Sequence, residues 1–210
     1  MTPAKSILII GPTGAGKTPL GNIFAERGIN GRRCRHFDFG NELRKAATPG
    51  PLPDGLTGDD RSFIEGVLNR GLLLENEHFH IAEKIIDHFL SCSGFREGDI
   101  LVLNGLPRHT GQAKDMEGMA KVETLIVLEC TAEDVFSRIR ENSGGDRTGR
   151  TDDGMRLIRE KLVILKERTS PLIDYYMANG CNISRIKVTV SSTAEEMYSR
   201  FISSPGAFQH

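Results

Sequence analysis

Short apolar runs alternate along this chain with stretches in which apolar residues recur every three or four positions. The runs are Ser6–Ile10, Cys34–Phe37, Ile100–Leu103, Thr124–Glu129 and Arg185–Val190. Their length and β-branched content suit strands buried on both faces, whereas spacings such as Leu20, Ile23 and Phe24 suit amphipathic helices. Five strands joined by helical crossovers predict an α/β fold, a doubly wound five-stranded parallel sheet with helices on both faces. Ligands in such sheets sit beyond the carboxyl ends of the strands. Two stretches break the alternation. Thr48–Asp60, with Pro49, Pro51, Pro53 and three glycines, is a breaker-rich loop inside an insertion spanning about 41–75. Glu141–Gly149 is short, polar and glycine-bearing, and reads as a segment able to close over a ligand, within a lid of about 141–150.

The first run leads directly into Gly11-Pro-Thr-Gly-Ala-Gly-Lys-Thr18, which fits G-x-x-x-x-G-K-[ST]. That pattern is a phosphate loop and makes this a P-loop NTPase-type sheet. Gly11, Gly14 and Gly16, with Ala15 between the last two, let successive N–H groups turn inward around phosphate oxygens at the positive end of the next helix. Lys17 reaches the β- and γ-phosphates and the Thr18 hydroxyl ligates Mg²⁺. ATP and Mg²⁺ are the ligands this implies.

Composition narrows the partners. The net charge is −1 over 210 residues, so no global field favours a nucleic acid polymer or an anionic membrane. Arg32, Arg33 and Arg35 form a basic cluster best read as a solvated edge. Cys34, Cys92, Cys130 and Cys181 are widely spaced, with no C-x-x-C pair, which suits free thiols in the cytoplasm. No apolar stretch long enough to span a bilayer is present, and one domain, a monomer, is expected. His78 and His80 lie two apart and do not share a helix face, which argues against a metal pair. The Asp38-Phe-Gly40 triplet is like one found in protein kinases, but no H-R-D segment precedes it.

The remaining motifs, in their order and spacing, resemble those of the nucleoside monophosphate kinases, and most closely the adenylate kinase-like, short-lid members. His36-Phe-Asp-Phe-Gly-Asn-Glu-Leu-Arg44 is similar to H-x-S-T-G-D-x-L-R, and Arg70-Gly-Leu-Leu-Leu74 to K-G-x-L-V. Asn104-Gly-Leu-Pro-Arg108 with Gln112 resembles D-G-[FY]-P-R-x-x-x-Q, Thr148–Asp153 resembles S-G-R-x-D-D, and Thr169–Tyr176 matches T-x-P-[LIV]-I-x-x-Y. The resemblance implies a core of about 1–40, 76–140 and 151–202, the acceptor-binding insertion, the lid, and a tail at 203–210. It implies transfer of the γ-phosphoryl group of ATP to a nucleoside monophosphate, with AMP the default acceptor and UMP, CMP or another small metabolite as alternatives. A nucleotide-binding sensor with weak catalysis is the reading from a different class.

By the same resemblance, Arg44 and Arg108 hold the acceptor phosphate, while Lys17, Arg150 and Lys161 act on the group in transfer. Arg138 stacks on the donor base and Arg147 adds charge to the donor site. Phe39, Gly40, Leu74, Gly105 and Gln112 surround the acceptor, with Gln112 and the Leu74 backbone reading its base. Asp152 and Asp153 orient Arg150. The chain departs from the family at several points. Asn104 stands where an aspartate helps hold the Mg²⁺ water shell, Pro19 where a threonine N–H meets the donor, and Phe39 and Asn41 where a threonine and an aspartate stand. Lys161 and Asn142 occupy arginine positions. Asn104 is expected to act on the metal through water, and Phe39 to stack on the acceptor base.

Overall fold

A computed structural model describes residues 2–146 and 154–204. Five parallel strands, β1 (Ala4–Ile10), β2 (Cys34–Asp38), β3 (Ile100–Asn104), β4 (Ala120–Glu129) and β5 (Asn182–Lys187), form one sheet in the order β2-β3-β1-β4-β5. The crossovers carry α1 (Lys17–Arg27), α2 (Phe39–Ala47), α3 (Gly58–Arg70), α4 (Phe79–Cys92), α5 (Thr110–Asp115), α6 (Ala132–Glu141), α7 (Met155–Ile164) and α8 (Pro171–Ala178), with α9 (Ala194–Ile202) after β5. The predicted architecture is present, with three adjustments, the first being that β4 begins at Ala120 and not at Thr124. The breaker-rich loop ends at Thr57, where a capping box with Asp60 starts α3. The last strand lies earlier than Arg185–Val190, because Val188 and Val190 belong to the loop that follows it.

Period-two alternation divides the interior between the two faces. Leu8, Ile10, Phe37, Leu101, Leu103, Leu125 and Val127 point to the side covered by α2, α3, α4, α5 and α8. Ile7, Ile9, Ile100, Val102, Ile126 and Leu128 point to the side covered by α1 and α9 through Leu20, Phe24, Met197 and Phe201. Because β1 and β3 lie inside the sheet and are buried on both faces, their runs read as continuous apolar segments. Gly21 lets α1 close onto β2: a Cβ there would lie 2.3 Å from Nε2 of His36. His36 is in turn held through Nδ1 by the Asn22 side chain at 2.9 Å, and burial pushes its protonation below the usual histidine range.

Register places the functional strand ends together. Asp38 of β2 pairs with Asn104 of β3, and Asn104 pairs with Ile9 of β1, one residue before that strand opens into the glycine loop. Residues at these three strand ends therefore share the carboxyl edge of the sheet. The insertion, carrying α2 and α3, rises from the same edge.

Candidate active site

The glycine loop connects β1 to α1. Gly14 has φ of 78°, and a Cβ on it would sit 2.7 Å from Cγ1 of Ile139, so α6 packs against the loop only because the side chain is absent. Gly16, at φ 93°, is the N-cap of α1 and carries no side chain to take the backbone N–H groups of the first turn. Pro19 falls in that first turn, where a missing N–H costs the helix nothing. Lys17 Nζ donates to the carbonyls of Gly11 (2.8 Å) and Pro12 (2.7 Å), so the lysine is folded back over its own loop.

A single cleft above the sheet edge is lined by Gly11, Gly14, Gly16, Lys17 and Thr18 at one end. Phe39, Gly40, Arg44, Leu74, Gly105, Arg108 and Gln112 line its other parts, together with Asn104 and Lys161. Most of the residues singled out in the sequence are thus brought to one crevice. Ala15 instead lies fully buried beneath the loop, in the core on the α1 face. Arg147, Arg150, Asp152 and Asp153 lie outside the described residues.

Arg108 follows β3 and keeps only part of its surface in the cleft. No described carboxylate pairs with its guanidinium, and burial alone pushes it from 12.5 down to about 10. A partly desolvated cation with no counter-charge among the described residues suits an anion. Leu43, Val67, Leu72 and Leu73 supply apolar stretches of the same cleft's wall.

Several expected roles are corrected by the geometry. Arg138 does not present a face for stacking on a donor base. It is 2% exposed, and its guanidinium donates to the carbonyls of Gly14 (2.9 Å), Thr189 (2.7 Å), Val190 (3.1 Å) and Ser192 (2.9 Å). It binds the underside of the glycine loop to the segment after β5. Phe39 is 4% exposed and its ring stacks with Phe37 at 6.0 Å, which makes it core rather than a platform for a base. The Leu74 carbonyl does not wait for a base either, since Gln112 Nε2 donates to it at 2.8 Å and the His109 ring lies 3.3 Å away. Gln112 Oε1 accepts from the Arg108 backbone N–H at 2.8 Å. The two groups expected to read the acceptor base are therefore hydrogen-bonded to each other.

Asn104 also differs from expectation. Its amide nitrogen, not its oxygen, faces the site, donating to Thr18 Oγ1 (3.1 Å) and to Asp38 Oδ2 (2.9 Å). Thr18 Oγ1 donates to the same Asp38 oxygen. Asp38 is the functional-site residue the sequence reading missed. It was visible only as part of a motif in which the family has a serine, and its importance depends on strand register. Asn142, at an expected arginine position, is the C-cap of α6 in the left-handed region with φ 49°, a conformation asparagine tolerates better than arginine does.

Comparison with known proteins agrees with this geometry. The family model described as AAA domain matches residues 7–159. An adenylate kinase from Synechococcus sp. WH7803 is 31% identical over 86% of this chain and 88% of its own. Another from Phocaeicola vulgatus is 30% identical over 83% and 86%, and one from Haloarcula marismortui 27% over 92% and 93%. Among solved structures, a gluconokinase from Sinorhizobium meliloti superposes with a TM-score of 0.54 at 13% identity, covering 95% of this chain and 90% of that one. A sugar kinase from Janibacter sp. HTCC2649 does so at 0.52 and 16%, covering 94% and 92%; these two likenesses concern the fold. No helix among the described residues is long and apolar enough to cross a membrane. A glycine loop opening into a cationic cleft, and relatives matched over most of their length, lead to one assignment: the chain belongs to the adenylate kinase family and is an ATP-dependent phosphotransferase of the nucleoside monophosphate kinase kind.

Proposed function

We propose that this enzyme moves the γ-phosphoryl group of ATP onto a nucleoside monophosphate, with AMP the default acceptor and Mg²⁺ the metal. The observation that carries the reading is that the glycine loop, Arg44, Arg108 and Lys161 line the same cleft. Phosphoryl transfer requires positioning and positive charge around the phosphate oxygens, with little covalent work by the protein. Lys17 exchanges the Gly11 and Pro12 carbonyls for β- and γ-phosphate oxygens. Arg108 and Arg44 offer planar forks to the acceptor phosphate. Lys161, on α7, adds a further cation to the cleft lining. The resemblance adds Arg150 and Arg147 from the lid, which would also keep water from the group in transfer.

The residues at the sheet edge fit Mg²⁺. This ion takes hard oxygen ligands, keeps several waters and needs only one or two carboxylates when phosphates supply the rest. The Thr18 hydroxyl and the Asp38 carboxylate offer such oxygens within hydrogen-bonding reach of one another, both held by bonds donated from Asn104 Nδ2. When bound, the ion neutralises charge on the β- and γ-oxygens.

The engagement of the Leu74 carbonyl by Gln112 favours a second reading of the acceptor, in which a pyrimidine nucleotide or another small phosphorylated metabolite is preferred. A panel of AMP, CMP, UMP and GMP with ATP and Mg²⁺, scored for nucleoside diphosphate formation, tests both. Turnover fastest with AMP supports the first reading, and fastest with a pyrimidine the second. No turnover with any monophosphate would refute the proposal.

A further inference from the structure

We infer that the carboxylate of the Mg²⁺ shell is supplied by Asp38 at the end of β2, and that Asn104 at the end of β3 serves it as a neutral positioning partner. The inference rests on the MgATP-dependent reading above and assigns the metal's acidic partner within it. Four observations carry it. Asp38 and Asn104 are paired in register at adjacent strand ends, so a carboxylate on either strand reaches the same point above the glycine loop.

The Asp38 carboxylate is also divided between two tasks. Oδ1 accepts from the Asn41 backbone N–H at 3.0 Å and caps α2, while Oδ2 faces the cleft residues Thr18 and Asn104. Capping fixes the carboxylate plane, so Oδ2 is held toward the loop without rotamer freedom to lose.

The Thr18 hydroxyl leaves still less choice. A hydroxyl has one proton and two lone pairs. The proton goes to Asp38 and one lone pair accepts from Asn104 Nδ2, which leaves a single lone pair for a cation. Asn104 turns only donors toward this point, and an N–H cannot ligate a metal or accept from its water. Among these three side chains, Asp38 is the one bearing negative charge. The other described carboxylate lining the cleft, Asp146, follows α6 instead of standing at a strand end beside the glycine loop.

Finally, the two departures at 38 and 104 complement each other. Oδ2 of Asp38 lies 2.9 Å from the Asn104 amide nitrogen, so carboxylates at both positions would place like charges in hydrogen-bonding contact. The amide converts that conflict into a donated bond. The acid has in effect moved one strand sideways.

The test compares wild type, Asp38→Asn, and the double variant Asp38→Asn with Asn104→Asp, each titrated with ADP by calorimetry in EDTA and in excess Mg²⁺. Asparagine is also a good N-cap, so α2 is preserved in both variants. In wild type, Mg²⁺ strengthens ADP binding. In Asp38→Asn that enhancement falls by tenfold or more, while ADP affinity in EDTA is unchanged or improved because a negative charge near the phosphates is gone. The double variant restores the enhancement to within about threefold, a result expected for a charge that can act from either strand. Full Mg²⁺ enhancement in Asp38→Asn overturns the assignment while leaving the kinase reading intact. So does an equal loss of affinity with and without metal, or a double variant no better than the single. If wild type gains nothing from Mg²⁺ and turns over no monophosphate, the kinase reading itself fails.

Discussion

Replacing Arg108 by methionine should make the empty protein more stable and nearly useless for binding its acceptor. Arg108 is pushed from 12.5 down to about 10 by burial, with no opposing contribution from a described carboxylate. At about 1.4 kcal/mol per pK unit, keeping the guanidinium charged in that place costs about 3 kcal/mol. This is an upper bound, since the residue retains some surface in the cleft, and a net gain of about 1–2 kcal/mol is expected for Arg108→Met after that screening. The sign follows from proton linkage. A base whose folded value is depressed burdens the fold at every pH below that value, and relief begins only as pH rises through about 10. No ordinary protein remains folded where arginine titrates, so in practice only an anion or a substitution removes the burden. For a chain of this size the gain corresponds to a Tm rise of roughly 2–8 °C in the nucleotide-free protein. Differential scanning fluorimetry of wild type and variant, each with and without the preferred monophosphate, checks both halves. Wild type should be stabilised by the monophosphate, while the variant should lose roughly 10- to 150-fold in affinity, the worth of one charge-assisted hydrogen-bonded contact. If Arg108→Met lowers Tm, or leaves stabilisation by the monophosphate untouched, the view of Arg108 as an unpaired cation awaiting a phosphate is wrong.

Lys17→Ala should lower kcat by roughly 10²–10³-fold, since it removes a cation aimed at the group in transfer; steady-state turnover within tenfold of wild type would exclude that role. Arg138→Met should strand the carbonyls of Gly14, Thr189, Val190 and Ser192 and cost about 2–4 kcal/mol, read as a lower urea midpoint together with weaker ATP binding. Normal stability in that variant would show that the loop needs no support from below. Among the cysteines, Cys92 is exposed, whereas burial raises Cys34 to about 12 and Cys130 and Cys181 each to about 11. A thiol probe at pH 8 should therefore modify Cys92 first, and rapid labelling of Cys34 in the folded protein would contradict the packing of β2 against α1.

The fold was legible because parallel strands covered on both faces announce themselves as apolar runs. Strands β1 and β3 were recognised to within two residues on that signal. It failed where burial is one-sided: Lys121 and Glu123 alternate with apolar residues at the start of β4, and β5 is an edge strand in which Asn182, Arg185 and Lys187 are exposed and Ile186 alone is buried. There, apolar density points to Val188 and Val190, which pack beyond the strand's end. At the site, spacing located the glycine loop and the cleft arginines, since both depend on local sequence. It could not reveal which partners a side chain chooses. Arg138 sits where expected along α6 but turns inward to four carbonyls, and nothing in one sequence distinguishes that from an arginine facing a base. Asp38 was hidden for a related reason, because only strand pairing brings positions 38, 104 and 18 together from separate parts of the chain.

The folded-back lysine has a consequence for which molecules can enter. The Pro12 carbonyl accepts from both Lys17 Nζ and the Ala15 N–H, at 2.7 and 3.2 Å, and the Gly11 carbonyl takes a further bond from the lysine. The loop thus rehearses its ligand with its own oxygens, and an incoming group is admitted only by outcompeting them. Neutral oxygens offer no advantage in exchange with these carbonyls, whereas a polyphosphate does, so the loop selects for charge density before shape is consulted.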